Sequence, residues 1–351
     1  MIDGWYWKFI GVGLIIYSMI VGMLVPLKPS IELVAPSAAK TGQQINLEVT
    51  GYNTNYSGSA SIRAWLKDEE GNAVLSKNVT VINAQNLVAN FDIPGFLPSS
   101  DRVVPFTLIL DHPVDGAMVS PDAVFITQDS ISKVEGQTLW QKDIINDLTL
   151  NTAFTFPSMS LIRETIRNTF YHVPLWFAMV IIFGAAVYWS IKYLRNPQSY
   201  QYDNRAVGFT SVGILFGILG TVTGALWARF VWGSYWSWDI KQIVTAVALL
   251  IYMAYFILRN AIEDDDRKGR VAAVYNIFAF VALIPLIFVV PRMMDSLHPG
   301  NGGNPGLGAN DLDNSMRMIF YPAIIGWIII GLWLANVRYR LLDIKYNLMN
   351  K

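Results

Sequence analysis

The stretch Val173-Pro-Leu-Trp-Phe-Ala-Met-Val-Ile-Ile-Phe-Gly-Ala-Ala-Val-Tyr-Trp-Ser-Ile191 decides the class of fold. It contains no charged side chain, and a helix of about 20 mostly apolar residues is long enough to cross the hydrocarbon of a bilayer. Five further stretches read the same way, near 9–27, 207–227, 242–258, 271–290 and 318–336. Pro285 sits inside the fifth, where a kink is tolerable if neighbouring helices satisfy the freed carbonyl. The composition agrees. Of 351 residues 53% are hydrophobic and 13% aromatic, and only 15% are charged, against about 25% in soluble domains. Lysine plus arginine equals aspartate plus glutamate at 26 each, so no bulk charge draws the chain to nucleic acid. Cysteine is absent, which excludes a disulfide scaffold, a thiolate metal site, a thiol reductant and haem attachment through a Cys-x-x-Cys-His segment of its own.

The first apolar run exceeds the 7–15 residues usual for a signal sequence, and no Ala-x-Ala-like site follows it, which predicts a retained anchor at 1–27. Basic residues in the short loops set the orientation. Eleven lie in the loops near 192–206 and 259–270 and in the tail, whereas the opposite loops hold four. The first face is therefore expected to be cytoplasmic, with both termini inside.

Between the first two runs lies a segment of different character. Ile31–Val34, Ile45–Tyr52, Ala60–Lys67, Val74–Ile82, Leu87–Ile93, Val104–Leu110 and Ala123–Gln128 are β-branched or alternating, and clusters such as Asn53-Thr54-Asn55 and Glu70-Gly71-Asn72 separate them. Seven short strands at this spacing predict an all-β, immunoglobulin-like sandwich outside the membrane; a small barrel would read similarly. The expected organisation is an anchor at 1–27, a β domain at 28–157 and a five-helix membrane domain at 158–351. Within the β domain His112 reads as a turn residue, and no catalytic constellation is visible.

Counting crossings brings the two remaining histidines together. His172 begins the second apolar run, and His298 follows the fifth. Four crossings separate them, so both belong at the outer face. The loop Trp227-Ala-Arg229-Phe-Val-Trp232-Gly233-Ser-Tyr235-Trp236-Ser-Trp238-Asp239 is two crossings from His172 and belongs there too. Two imidazoles above an aromatic floor suit haem, whose iron takes axial histidines and whose ring can stack on indoles at about 0.5–1.5 kcal/mol each beyond burial. Gly233 would let backbone approach the ring closely. Arg167, Arg229 and Arg317 are the outer-face cations for the propionates. The alternatives are a lipid belt of tryptophans around a structural adaptor, and zinc held by two histidines and Asp239; a zinc site, though, usually places three protein ligands close together.

The run Trp232-Gly-Ser-Tyr-Trp236-Ser-Trp238-Asp239 resembles the tryptophan-rich "WWD" signature of haem-handling membrane proteins in bacterial cytochrome c maturation. The span from about 160 to 340 most resembles the haem exporter protein C family (CcmC-type). The likeness includes Arg167 through His172-Val173-Pro174, Thr221 through Trp227, Glu263 through Arg270, Ser296-Leu297-His298 and Asp313 through Arg317. The resemblance implies that His172 and His298 are axial ligands of non-covalent haem b in transit. It places Trp232, Trp236, Trp238 and Asp239 in the haem platform, and the same loop at 227–240 offers Trp227, Gly233 and Tyr235 to it. It further implies a multi-pass protein of the bacterial inner membrane; the insert at 28–170 is far longer than the family's usual loop there, and its periplasmic place is expected from the loop charges instead. The expected partners are a periplasmic haem chaperone (CcmE-like), a small membrane partner (CcmD-like), ABC transporter subunits (CcmA- and CcmB-like) and membrane lipid. No Gly-x-x-x-x-Gly-Lys-Ser/Thr motif occurs, so ATP chemistry would belong to partners. The signature also resembles the cytochrome c synthase subunit CcsA, but that family continues Pro-Lys-Glu-Thr-Trp where Ile240-Lys241-Gln242-Ile243 stands here. The expectation is haem delivery without catalysis, with haem attachment to apocytochrome as the alternative. The Gly-rich stretch 299–310 is expected to be mobile and to let His298 leave first.

Overall fold

A computed structural model describes residues 4–58, 61–142, 144–158, 162–298 and 312–349. The chain forms two compact units, Pro26–Ser160 and a second built from Met1–Val25 with Leu161–Lys351.

The first unit is a two-sheet sandwich. One sheet has the order β1 (Ser30–Ala35), β3 (Gln44–Tyr52), β7 (Asn86–Asp92), β6 (Asn78–Val81). The other runs β10 (Gln141–Lys142), β5 (Asn72–Leu75), β4 (Arg63–Lys67), β8 (Val103–His112), β9 (Gly116–Thr127), β2 (Ala38–Lys40). Alternate residues of β3 and β7 point inward, so Leu47, Val49, Leu87, Ala89 and Phe91 pack against Leu66, Phe106, Leu108 and Val124 of the facing sheet. Between these named strands the pairings are antiparallel except β2 with β9, and the strand order is of the immunoglobulin type.

Three features differ from the sequence reading. The run Val74–Ile82 is two strands, β5 and β6, in different sheets, because the chain crosses over at Ser76-Lys77. β2 and β10 were too short to show a pattern, as was the helix α2 (Lys133–Leu139). The strands ending near Leu110 and starting near Ala123 extend toward each other into one hairpin, closed where His112 pairs with Gly116. Gly116 has φ +82°, the left-handed residue that three-residue hairpin loops require. The fully buried His112 accepts the Asp115 N–H at 2.9 Å through Nδ1.

Among the described residues the second unit has six helices long and apolar enough to cross a membrane: α1 (Tyr6–Leu24), α3 (His172–Arg195), α4 (Tyr200–Trp232), α5 (Ile240–Asn260), α6 (Asp265–Ile284) and α7 (Asn314–Met349). A 3₁₀ segment, Arg163–Phe170, leads into α3. At Pro285 the fifth run does not simply kink; α6 widens into a π turn over Pro285–Val289 and a short 3₁₀ turn over Val290–Arg292, a common adjustment where a proline removes a backbone donor. Helix α4 is a glycine-notched rod. A Cβ on Gly213, Gly217, Gly220 or Gly224 would lie 2.4–2.8 Å from Phe183, Leu249, Trp176 and His172, respectively. Small residues at such spacing let helices approach closely where lipid supplies no hydrophobic drive. Three of the four notches receive side chains of α3, and so they set the depth of His172 and Trp176. Deeper in, Asn276 of α6 donates to Ser190 of α3 at 3.0 Å and to Thr210 of α4 at 3.1 Å, all three fully buried.

Candidate functional site

His172 is the first residue of α3. Its Nδ1 lies 2.9 Å from the Gly220 carbonyl and 3.2 Å from Thr223 Oγ1 on α4. A carbonyl can only accept, so Nδ1 carries the proton and Nε2 keeps a lone pair.

His298 reaches the same cavity by another route. Helix α4 ends at Gly233, φ +81°, the left-handed cap glycine permits without strain. The chain then turns through Ser234–Trp238 to Asp239, the N-cap of α5. Asp239 accepts the Lys241 N–H at 2.9 Å, the Leu297 N–H at 2.7 Å, the Ser296 hydroxyl at 3.1 Å and His298 Nδ1 at 3.0 Å. Burial works to raise the Asp239 carboxyl, but these donors outweigh it and hold it below the ordinary value of 3.8. Nδ1–H of His298 therefore donates to the carboxylate, and Nε2 keeps its lone pair. Burial pushes His298 down from 6.5 to about 4, against the pull of Asp239, so the ring is neutral at ordinary pH, the form that can bind a metal. Trp232 meets the His298 ring edge-on at 4.7 Å, and Trp227 lies 5.8 Å away.

Both imidazoles line one cavity of about 160 Å³. Trp176 and Trp236 are its aromatic walls, Val244, Ile287 and Pro291 its aliphatic ones, and Lys241 its cation. Ligand pockets for drug-sized molecules span about 300–1,000 Å³, so this cavity encloses only part of a ligand as large as a porphyrin.

Of the expected platform residues, only Trp236 lines the cavity. Trp227 and Trp232 pack on His298 instead, and Asp239 anchors it. Tyr235 and Trp238 are exposed, and Trp238 stands in a left-handed conformation, φ +58°. Gly233 ends α4. The three expected propionate cations lie elsewhere. Arg167 donates to the Gly22 and Val25 carbonyls at 2.7 and 2.8 Å, closing the end of α1. Arg229 donates to the Gly233 carbonyl, and Arg317 to Asn314 at 3.4 Å. The sequence reading passed over Trp176, Lys241 and Gln242. Trp176 is one helical turn beyond His172, a spacing that puts both on one face. Gln242 braces the loop, accepting the Ser237 N–H at 2.9 Å and donating to the Tyr235 carbonyl at 3.3 Å, on either side of Trp236. The stretch 299–310 lies outside the described residues.

The profile of the family described as "CcmC: Heme exporter protein C" matches residues 131–350. Heme exporter protein C of Bradyrhizobium diazoefficiens is 28% identical over 182 residues, covering 51% of this chain and 67% of that protein. The protein of the same name from Haemophilus influenzae is 26% identical over 185 residues, 51% of this chain and 71% of its own. Cytochrome c biogenesis protein CcsA of Arabidopsis thaliana is 28% identical over 163 residues, 46% of this chain and 45% of its own.

Proposed function

The chain belongs to the Heme exporter protein C family, and from that membership we propose that it handles haem for cytochrome c maturation. In this reading haem is cargo. The observation that carries it is the pair of imidazoles lining one cavity, each with Nδ1 engaged by an acceptor and Nε2 left to ligate. Second partners of this kind, a carbonyl for His172 and a carboxylate for His298, are what metal-binding histidines normally carry.

His172 is the fixed ligand, seated in the Gly224 notch between two helices. His298 is the releasable one, tethered from a loop through Asp239. Trp176 and Trp236 stack on the macrocycle, and Lys241 takes a propionate. The cavity covers part of the macrocycle, so the remaining edge stays open to an acceptor, which suits delivery better than storage. The acceptor is a periplasmic haem chaperone, the termini are cytoplasmic and the β domain is periplasmic in the bacterial inner membrane. A small membrane partner and ABC transporter subunits complete the expected system.

The test is the absorption spectrum of protein purified from haem-replete cells. A bis-histidine pattern is expected, and His298→Ala should convert it to that of a singly ligated haem. An unchanged pattern removes His298 from the assignment, and absence of haem from the parent protein leaves a structural adaptor. The similarity to CcsA favours a second reading, haem attachment to apocytochrome. Thioether-linked cytochrome c made by this chain and an apocytochrome, with no chaperone present, would establish it.

A further inference from the structure

The end of α7 remote from the haem cavity carries a seam that nothing in the haem reading uses. Leu334, Val337, Leu341, Ile344 and Leu348 are 39%, 44%, 54%, 56% and 69% exposed. Their spacing of three, four, three and four residues is the a/d repeat with which one helix packs along another. Exposed apolar residues are expected where a helix faces lipid, but two observations separate this seam from the lipid face. Counted at 3.6 residues per turn, it lies about 150° around the helix from Met318, Tyr321 and Ile325, the exposed side of the other half of α7. It also runs past a charged layer. Asp203 of α4 pairs with Arg259 of α5, and the adjacent Asn204 donates to Asp343 of α7 at 2.7 Å. Leu341, Ile344 and Leu348 stand level with those charges or beyond them, where hydrocarbon does not cover a side chain.

The seam continues an interface already present. Helix α1 packs along α7 through Gly11 against Ile329 and through Leu14 and Ile15 against Gly326. Tyr17 and Ser18 donate to the Met318 and Ile319 carbonyls at 3.3 and 3.4 Å. Near the start of α1, Lys8 sits 5.4 Å over the Trp333 ring. Beyond Trp333 the seam follows on, within about 70° of the side that α1 covers. The opposite side of α7 is already filled, with Tyr339 buried against Gly208 and Tyr346 stacked on Tyr200 at 4.1 Å.

The charges choose the occupant. With Leu334, Leu341 and Leu348 at position a, Arg338 and Lys345 fall at e and Arg340 at g, all exposed. A second copy of this chain would set basic residues against basic ones in either orientation, and like charges at these positions select against a pairing. We infer that this seam docks an amphipathic helix of a partner protein, aligned with α1 and bearing Glu or Asp at its own e and g positions.

The experiment uses the full chain in phosphatidylcholine nanodiscs and two fluorescent helical peptides of about three heptads. Both carry Leu at a and d; one has Glu and the other Lys at e and g. The Glu peptide is expected to bind at least about tenfold more tightly, and Leu341→Ser with Ile344→Ser should remove binding without changing the haem spectrum or the melting temperature. Arg338→Glu with Arg340→Glu and Lys345→Glu should turn the preference to the Lys peptide. Equal binding of both peptides, or of neither, overturns the inference. So does a spin label at position 344 that proves shielded by lipid, or self-association that Ile344→Ser abolishes.

Discussion

Asp239 concentrates several duties in two oxygens. It caps α5 through the Lys241 N–H, and it ties down Ser296, Leu297 and the His298 ring. The left-handed Trp238 just before it turns the chain so that the carboxylate faces those partners. Asp239→Ala should therefore cost about 0.5–2 kcal/mol as a lost cap and weaken haem retention by about 10–100-fold, the usual effect of removing a carboxylate behind a metal-binding histidine. Asp239→Asn keeps one acceptor oxygen and should fall between the two. Haem titration followed by absorbance separates the cases; an affinity unchanged in Asp239→Ala would show that His298 is oriented by Trp227 and Trp232 alone. At this scale counting crossings predicts one face for two histidines and a tryptophan loop, and His172, His298 and Trp236 line one cavity. The sequence did not reveal which indole meets the cavity and which meets an imidazole, since that depends on the turn between Gly233 and Asp239. Nor did it separate arginines engaged by helix-end carbonyls, such as Arg167 and Arg229, from the cation lining the cavity, Lys241.

Among the elements, the α3–α4 pair sets the depth of the site. Gly224 is open enough for the His172 ring and for nothing more: an added Cβ would sit 2.6 Å from His172 Cε1. Gly224→Ala should cost about 1–3 kcal/mol by overpacking and displace His172, so its signature is loss of haem at retained helix content. Gly13 of α1 has open space around its missing Cβ, so Gly13→Ala serves as the matched control. It should leave haem unchanged and be neutral or stabilising by up to about 1 kcal/mol. Equal haem loss in both variants would show that backbone stiffness, not the notch, matters. The membrane helices were legible because apolar runs of that length have few other uses. Their true ends were less so: α4 and α7 continue well past the apolar windows into charged residues, held there by pairs such as Asn204 with Asp343 that only the fold creates. The break between β5 and β6 was hidden for a related reason. Both halves of Val74–Ile82 have strand chemistry, and only the sheet each joins distinguishes them.

For the molecule as a whole, the inserted sandwich is a second folding unit with its own polar lock, and its acid response should be its own. Asp111 on β8 takes Arg63 of β4 at 2.5 and 3.1 Å, while its other oxygen accepts the Thr149 N–H at 2.8 Å. Arg63 also donates to the Asp147 carbonyl at 2.6 Å. The segment around 147–149 is thereby strapped to the middle of the six-stranded sheet. Burial tends to raise the Asp111 carboxyl, but the Arg63 and Thr149 donors prevail and hold it below 3.8. A carboxyl whose pKa falls on folding stabilises the folded state at every pH above its unfolded value, and that contribution fades as pH drops through the lowered one. Asp111→Asn should therefore cost about 1–3 kcal/mol near neutrality, a deficit that stays constant down to about pH 5 and closes only below 3.8. Thermal melts of the full chain and the variant from neutral pH into that range check this, read on the transition that carries the β-sheet signal. A gap that persists unchanged into strong acid would mean that Asp111 acts by shape rather than by charge. Haem absorbance followed in the same melts should not respond to Asp111→Asn, since His172 and His298 both belong to the other unit.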